Sequence, residues 1–183
     1  MNTPLANSRK RIVILDTSAF LAGFDPFSIG EEQVTVPQVE DEIKRNSLVK
    51  VRFQTALESG KVKINMPSTN FVVQAKSSAC KIGDSFKLSE ADMQLLALAL
   101  ELKTQGYAPQ LVSDDYSVQN VATQLEIEFC ALATLGIKRL LEWVRYCPAC
   151  HRVFPVDSKF KECSVCGTEL KRKPRRTVKK LES

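Results

Sequence analysis

The sequence lacks any long apolar segment and has only one histidine, and each scarcity excludes a class of function. The longest apolar stretch, Leu95 to Leu100, is far too short to cross a bilayer. The first residues, MNTPLANSRKR, have no apolar segment behind their basic side chains, so they do not predict a secretory signal. Because His151 is the single histidine, a nucleophile paired with a histidine base is poorly supported. We therefore expect a cytoplasmic protein without a membrane partner.

The length and composition predict a soluble globular protein. The 183 residues are enough for one ordinary domain and a small additional module. Hydrophobic residues make up 44% of the chain and charged residues 26%, which is typical of globular proteins. In a reducing compartment, clustered cysteines are more often metal ligands than disulfides.

Strands that alternate with helices predict an α/β fold with a mostly parallel sheet flanked by helices. The apolar run at 11–15 is continuous, which is typical of a strand buried on both faces. Further strands are predicted at 34–36, 62–66, 111–113 and 127–130, and helices at 38–58, through the seventies, at 93–103 and at 116–124. Ser89 is the expected N-cap of the third of these helices.

The alternating pattern ends near Trp143, which indicates a second unit with a different organisation. We predict an α/β domain at 1–144, a zinc ribbon at 145–170 and a basic tail at 171–183. The tail carries seven Lys or Arg and one Glu, so the other 170 residues are close to neutral. Two interpretations stay open: a contact with the phosphates of a nucleic acid, or a solvated tail that aids solubility.

Four cysteines in two CxxC pairs predict a structural zinc site. Cys147 and Cys150 are separated from Cys163 and Cys166 by twelve residues, enough for a short hairpin. Two such turns complete a tetrahedral site, and four protein ligands leave no open position for catalysis. The segment is too short for a large core, so the metal would supply most of its folding free energy. A redox dithiol is the alternative, but two matched pairs argue against it.

The other thiols and the histidine have ordinary interpretations. Cys80 and Cys130 lie in apolar or helical context and are interpreted as buried thiols. His151 follows Cys150 directly, and with four cysteines present we expect it on the surface or packed against the ribbon.

Carboxylates follow two of the predicted strands. Asp16 comes directly after the first strand, and Asp114 and Asp115 follow the strand at 111–113. The carboxyl ends of parallel strands form the ligand crevice of open α/β sheets, and carboxylates there suit Mg²⁺ or Mn²⁺. These acids also have a purely structural interpretation, since acids often cap helices. That interpretation applies equally to Asp92, three residues after Ser89, and to the run Glu40, Asp41 and Glu42.

Four motifs resemble those of PIN-domain nucleases over roughly residues 11–131. They are RIVILDTSAFLAGFDP, VTVPQVEDEIKRN, LSEADMQLLALALEL and LVSDDYSVQNVA, and their order and spacing agree with that family. The segment GIKRLLEWVRYCPAC then leads into the ribbon, and this pairing is similar to the Nob (Nin-one-binding) endonucleases of archaeal type.

The resemblance implies a role for individual acids. Asp16, Glu42 and Asp92 match the first three metal-binding acids of the family, and Glu42 matches better than Glu40. The fourth is either Asp115, which fits the usual pattern, or Asp114, which is nearer the strand. Ser113 stands where the family usually has Thr, so a hydroxyl is retained.

The resemblance also implies the reaction and the substrate. We expect a metal-dependent endoribonuclease that uses Mg²⁺ or Mn²⁺ and carries a structural Zn²⁺. Its expected substrate is precursor small-subunit ribosomal RNA, cut at the 3′ end, with ribosome-assembly proteins as further partners. Two alternatives are a toxin-type PIN ribonuclease with an antitoxin, and a non-catalytic RNA-binding factor in ribosome assembly.

Overall fold

The described residues fold into a five-stranded parallel sheet with six helices, followed by a three-stranded antiparallel sheet. The computed structural model describes residues 9–44, 47–134, 136, 139–155 and 160–180. In chain order the elements are β1 (Arg11–Leu15), α1 (Thr17–Leu21), a 3-10 turn (Pro26–Ser28), β2 (Glu32–Thr35), α2 (Pro37–Lys44), α3 (Ser47–Glu58), β3 (Val62–Ile64), α4 (Thr69–Ile82), α5 (Glu90–Thr104), β4 (Ala108–Val112), α6 (Tyr116–Gln124), β5 (Glu128–Cys130), β6 (Arg139–Tyr146), β7 (Val153–Phe154) and β8 (Lys171–Lys180). No helix in this part of the chain is long and apolar enough to span a membrane.

The first sheet confirms the predicted α/β fold. Its strand order is β3-β2-β1-β4-β5, and every neighbouring pair is parallel. Strand β1 is central, and its residues 12–15 are all buried, as the continuous apolar run predicts. Since β1 and β4 are parallel neighbours, their carboxyl ends, followed by Asp16 and Ser113, lie side by side at one edge of the sheet.

Helix α5 crosses the core and fixes one acid at its first turn. Nine of its fifteen residues are buried, including Leu95, Leu96 and Ala97 with no exposed area. The Ser89 side chain accepts a hydrogen bond from the Asp92 backbone N–H, and the Asp92 carboxylate accepts one from the Ser89 N–H. This reciprocal capping box confirms Ser89 as the N-cap and starts the helix at Glu90.

Two local predictions differ from the structure. The helix predicted over 38–58 is two helices, α2 and α3, and residues 45 and 46 between them lie outside the described part of the chain. Helix α1 was not predicted, because its five residues are too few to show a helical period. Its N-cap is Asp16, which accepts a 2.6 Å hydrogen bond from the Thr17 N–H.

The limits predicted for the ribbon and the tail need correction. Strand β6 begins at Arg139, before the predicted ribbon, and pairs with both β7 and β8. The residues predicted as a basic tail therefore form strand β8 up to Lys180, a part of the second sheet and not a separate segment. Two basic side chains of β8 pack on aromatic rings of β6: Arg172 lies 4.1 Å from the Trp143 ring centroid, and Lys173 lies 4.6 Å from that of Tyr146. We call residues 139–180 the ribbon unit.

Candidate active site and metal centre

Asp16 is the most buried acid at the carboxyl edge of the parallel sheet, with 6% of its surface exposed. Its Oδ2 accepts hydrogen bonds from the hydroxyls of Ser18 and Ser113, at 2.8 and 2.7 Å. Burial raises the pKa of Asp16, the three hydrogen bonds that it accepts oppose that shift, and the charge of Glu42 adds to it. Because burial makes ionisation of Asp16 unfavourable, a nearby cation would stabilise its carboxylate form.

Two serine hydroxyls join the ends of β1 and β4. Ser113 donates to Asp16 and accepts a 3.2 Å hydrogen bond from the Asp115 N–H. Ser18 also donates to Asp16 and accepts a 3.1 Å hydrogen bond from the Asp114 N–H. The hydroxyl at 113 thus has a physical role, which explains why Ser can stand where the PIN family usually has Thr.

The three consecutive acids of α2 have different partners. The Thr17 hydroxyl donates a 2.5 Å hydrogen bond to Glu42 Oε2, so Glu42 is turned towards Asp16. Glu40 and Asp41 instead lie 3.1 and 3.4 Å from the ammonium group of Lys44. The geometry therefore favours Glu42 over Glu40 as a member of the site.

Asp92 and Asp115 both cap helices, and their charges interact. Asp115 Oδ1 accepts hydrogen bonds from the N–H groups of Ser117 and Val118 at the start of α6. Burial raises the pKa of Asp92, and the charges of Asp16 and Asp115 add to that rise. The structural and the metal-binding interpretations of these acids are thus compatible, because a carboxylate that caps with one oxygen keeps lone pairs for a cation.

The Asp114 carboxylate is occupied by hydrogen bonds from a nearby turn. Its carboxylate accepts hydrogen bonds from the N–H groups of Leu132, Ala133 and Thr134, and from the Thr134 hydroxyl. Although burial opposes ionisation, these hydrogen bonds together hold the pKa of Asp114 below its ordinary value. Asp114 fixes the turn after β5, which leaves Asp115 as the better candidate for the fourth acid.

The acids Asp16, Glu42, Asp92 and Asp115, which we call the acid site, are linked by electrostatic interactions: Glu42 acts on Asp16, and Asp16 and Asp115 act on Asp92. Within the described residues, the cysteine cluster is the only group of three or more candidate ligands whose ligand atoms all lie within 4.8 Å of one another. The acids are therefore more widely spaced than a closed shell of protein ligands. Such spacing suits Mg²⁺, which dehydrates reluctantly and usually keeps several waters.

The four cysteines converge as their spacing predicts. The Sγ atoms of Cys147, Cys150, Cys163 and Cys166 all lie within 4.8 Å of one another. The Sγ atoms of Cys147 and Cys166 are 3.4 Å apart, and those of Cys150 and Cys163 are 3.5 Å apart. Thiolates about 2.3 Å from a tetrahedral zinc lie at comparable separations, so the cluster fits a metal of this kind.

The two CxxC turns are built alike. The N–H of His151 donates to the Cys147 carbonyl, and the N–H of Gly167 donates to the Cys163 carbonyl, both at 2.9 Å. Both residues have a positive φ, 60° for His151 and 71° for Gly167. His151 therefore occupies the turn position that Gly167 occupies in the other pair, is exposed, and is not one of the clustered ligands.

The protein environment lowers the thiol pKa of two of the four cysteines. Backbone N–H groups, that of Cys150 first, lower the pKa of Cys147. The Thr168 hydroxyl, 3.4 Å from the sulfur, together with the Thr168 N–H, lowers the pKa of Cys166 to about 6. Since the thiolate is the metal-binding form, these contacts suit a metal site.

A contact between the two folded parts was not predicted from the sequence. Asp84, which is 1% exposed, accepts hydrogen bonds of 2.5 Å from Asn120 Nδ2 and from an Nη atom of Arg172. Asn120 also exchanges two hydrogen bonds with the backbone of Leu141. We call Asp84, Asn120 and Arg172 the interdomain clamp. No local pattern marks these residues, because they meet only when the ribbon unit packs on the α/β domain.

Comparisons with known proteins identify the class of the first domain. Residues 13–102 match the sequence profile of a family described as "PIN domain of ribonuclease". Endoribonuclease Nob1 of Methanothermobacter thermautotrophicus is 34% identical over 89% of this chain and 93% of its own length. Endoribonuclease Nob1 of Pyrococcus abyssi is 38% identical over 90% of this chain and 94% of its own length. Ribonuclease VapC1 of Thermoplasma acidophilum is 32% identical over 88% of this chain and 77% of its own length.

These matches define a PIN-domain ribonuclease. More narrowly, the chain belongs to the Nob1 family of endoribonucleases, since the Nob1 relatives match it from the first domain into the ribbon unit. The PIN domain expected from the four motifs, and the Nob family expected from its pairing with the ribbon, are thereby confirmed.

Proposed function

We propose that this endoribonuclease cuts precursor small-subunit ribosomal RNA at its 3′ end. The proposal rests on the acid site at the edge of the parallel sheet. The same chain contains the ribbon unit found in its Nob1 relatives. The 3′-end substrate follows from the resemblance of the motifs and the ribbon to Nob endonucleases. Ribosome-assembly proteins are proposed as further partners on the same ground.

Asp16, Glu42, Asp92 and Asp115 would hold one or two Mg²⁺ or Mn²⁺ ions. A bound ion of this kind activates water for in-line attack on a phosphodiester and stabilises the leaving oxygen. Within this scheme, Ser18 and Ser113 keep Asp16 in place, and Thr17 orients Glu42 towards it. Burial, with a smaller contribution from neighbouring carboxylates, raises the pKa of Asp16 and of Asp92, and a bound cation would offset both effects.

The cysteine cluster would hold a structural Zn²⁺, and its four thiolates would close the coordination shell. Its role would be to fold the ribbon unit, which presents basic side chains to the RNA. A cytoplasmic location suits this assignment, because the thiols stay reduced there.

The test is cleavage of an RNA that spans the 3′ end of the small-subunit rRNA. The zinc-loaded protein is incubated with Mn²⁺ and this RNA, and the product ends are mapped. We expect one dominant cut at the mature 3′ end, and no comparable cut in a control RNA of equal length with that end scrambled. Absence of cleavage, or equal cleavage of both RNAs, would contradict the proposed substrate.

A second candidate is a toxin-type ribonuclease, favoured by the similarity to the relative named Ribonuclease VapC1. Such an enzyme would be held by an antitoxin. Purification of the tagged protein from its own cells separates the two proposals: a stoichiometric small antitoxin supports this one, and precursor ribosomal particles support the first.

A further inference from the structure

A cleft of about 370 Å³ lies between the α/β domain and the ribbon unit. The turn after α4 contributes Phe86 and Lys87 to its lining, and the ribbon unit contributes Arg145, Lys161 and Arg172. Neither part forms the cleft alone, so it exists only while the interdomain clamp holds the two together.

The cleft is positively charged. Arg172 is paired with Asp84, and Glu169 is the one carboxylate among the lining residues. Lys87, Arg145 and Lys161 belong to no ion pair formed among the described residues. Three cations that form no ion pair among the described residues, around one opening, favour an anionic ligand, and phosphate groups are the commonest such ligand of a ribonuclease.

An exposed aromatic ring lies among these cations. Phe86 is 61% exposed although it borders the cleft. The guanidinium carbon of Arg145 lies 5.2 Å from the Phe86 ring centroid, and its Nη1 donates a 2.8 Å hydrogen bond to the Phe160 carbonyl. Arg145 is thus held in place before any ligand arrives. Aromatic rings interleaved with Lys and Arg are how proteins bind unpaired nucleotides.

A second cavity connects a cleft residue with the neighbours of Asp115. Arg172 also lines a smaller cavity of about 70 Å³, together with Tyr116 and Ser117. These two residues directly follow Asp115, and Tyr116 is 53% exposed. A chain of nucleotides that leaves the cleft past Arg172 would therefore meet Tyr116, the neighbour of Asp115.

We propose that this cleft binds a single-stranded segment of the RNA substrate, with a base against Phe86 and phosphates on Lys87, Arg145 and Lys161. The inference rests on the proposed function, since it names the segment of RNA next to the cut. A duplex is excluded as the occupant because its bases are already stacked on one another and cannot stack on Phe86.

The test measures binding without cleavage. In the zinc-loaded protein with Asp16→Asn, fluorescence anisotropy gives the Kd of a single-stranded oligouridine of about 12 nucleotides, within the site sizes common for single-strand binders. Phe86→Ala should weaken binding about tenfold, as loss of one base–aromatic stack does. Lys161→Gln should reduce the slope of log K against log salt by about 0.7, as loss of one single-strand phosphate contact does.

Matched controls lie away from the cleft. Phe27, 51% exposed, sits in the 3-10 turn before β2, towards the opposite edge of the sheet from Asp16. Phe27→Ala and Lys76→Gln, the latter at an exposed position of α4, should each leave the Kd within about twofold, as surface changes outside an interface do.

The outcomes are separable from those of the cleavage test, because the oligouridine is not the rRNA substrate and the variant does not need to cut. Weakening by Phe86→Ala and Lys161→Gln, with both controls silent, supports the subsite even if the cut proves to lie in another RNA. Equal affinities for all four variants would overturn the proposed RNA subsite. That result would favour a protein partner as the occupant of the cleft. Stronger binding of a duplex than of the single strand would also overturn it.

Discussion

The α/β domain and the ribbon unit are each stabilised by a different kind of interaction. The main hydrophobic cluster contains thirty buried residues, all between Ile12 and Ile127. Among the residues beyond 130 whose side chains the structure describes, only Val144, Cys147 and Cys163 are buried and apolar. The first part can fold by burying apolar surface, whereas the second depends on its sulfur cluster and its strand pairing. The two parts of the chain therefore have different sources of stability, and the interdomain clamp connects the two parts.

The largest expected effect is removal of the ribbon metal. Structural zinc sites contribute on the order of 10 kcal/mol to folding, so a chelator should unfold the ribbon unit while the α/β domain persists. Each part has its own spectroscopic signal. Trp143, the single tryptophan, lies in β6 and reports the ribbon unit by its emission. All described helices lie between residues 17 and 124, so helical circular dichroism reports the α/β domain. After chelation the Trp143 emission should shift to the red, while the helical circular dichroism stays close to its initial value.

Cys163→Ser is the matched variant, and Cys80→Ser, outside the cluster, is its control. Cys163→Ser should show the chelated Trp143 signal without chelator, and Cys80→Ser should not. Simultaneous loss of both signals on chelation would contradict the division into two independently stabilised parts.

A smaller effect is expected at the clamp. Arg172→Met leaves Asp84 buried without its cation, which should cost about 2 kcal/mol. Asp84→Asn in the same chain should recover part of this loss, because the buried charge is then gone. Lys173→Met, which removes only a ring contact, should cost well under half as much. Urea unfolding followed by Trp143 emission measures all three, and equal losses for the two Met variants would argue against the clamp.

The acid site should respond to cations and pH together. Burial raises the pKa of Asp16 and of Asp92. Without a cation, such groups favour the folded protein at low pH, and this contribution is lost as pH rises through the raised pKa. Because a divalent ion must displace these protons, the rise in Tm caused by Mn²⁺ should grow from about pH 4 to about pH 7. Asp16→Asn should abolish the rise, and Asp114→Asn should retain it.

The smallest predicted effect tests the similarity of the two CxxC turns. His151 is exposed at a φ of 60°, where a side chain costs about 1 kcal/mol. His151→Gly should therefore stabilise the ribbon unit by about that amount, and Gly167→Ala, at a φ of 71°, should destabilise it similarly. The thermal transition of Trp143 emission reports both changes. Loss of metal from His151→Gly would instead mean that the histidine is a ligand.

Local patterns in the sequence predict most of the fold and leave out the long-range contacts. The buried run 11–15 and the capping residue Ser89 predict β1 and α5, because both depend on neighbouring residues only. The partner of β8 could not be predicted, since a run of basic residues looks the same in a solvated tail and in a strand. Its pairing with β6 and the packing of Arg172 on Trp143 are tertiary effects.

The acid site shows the same limit. The strand ends predict where Asp16 and Asp115 lie, but the separate role of Asp114 depends on the turn at 132–134, eighteen or more residues away in the chain. The motif resemblance favours Glu42 over Glu40, but the Thr17 hydroxyl that orients Glu42 comes from α1, and its contact could not be predicted from α2.

We propose that the α/β domain cleaves the RNA and that the ribbon unit helps to bind it. The most direct test is to measure cleavage and RNA affinity for Asp16→Asn with zinc bound and Mn²⁺ present. We predict that cleavage of the rRNA fragment falls below detection while the Kd for that RNA stays within about twofold, since Asp16 is buried and does not line the basic cleft. Undiminished cleavage by Asp16→Asn would contradict the account.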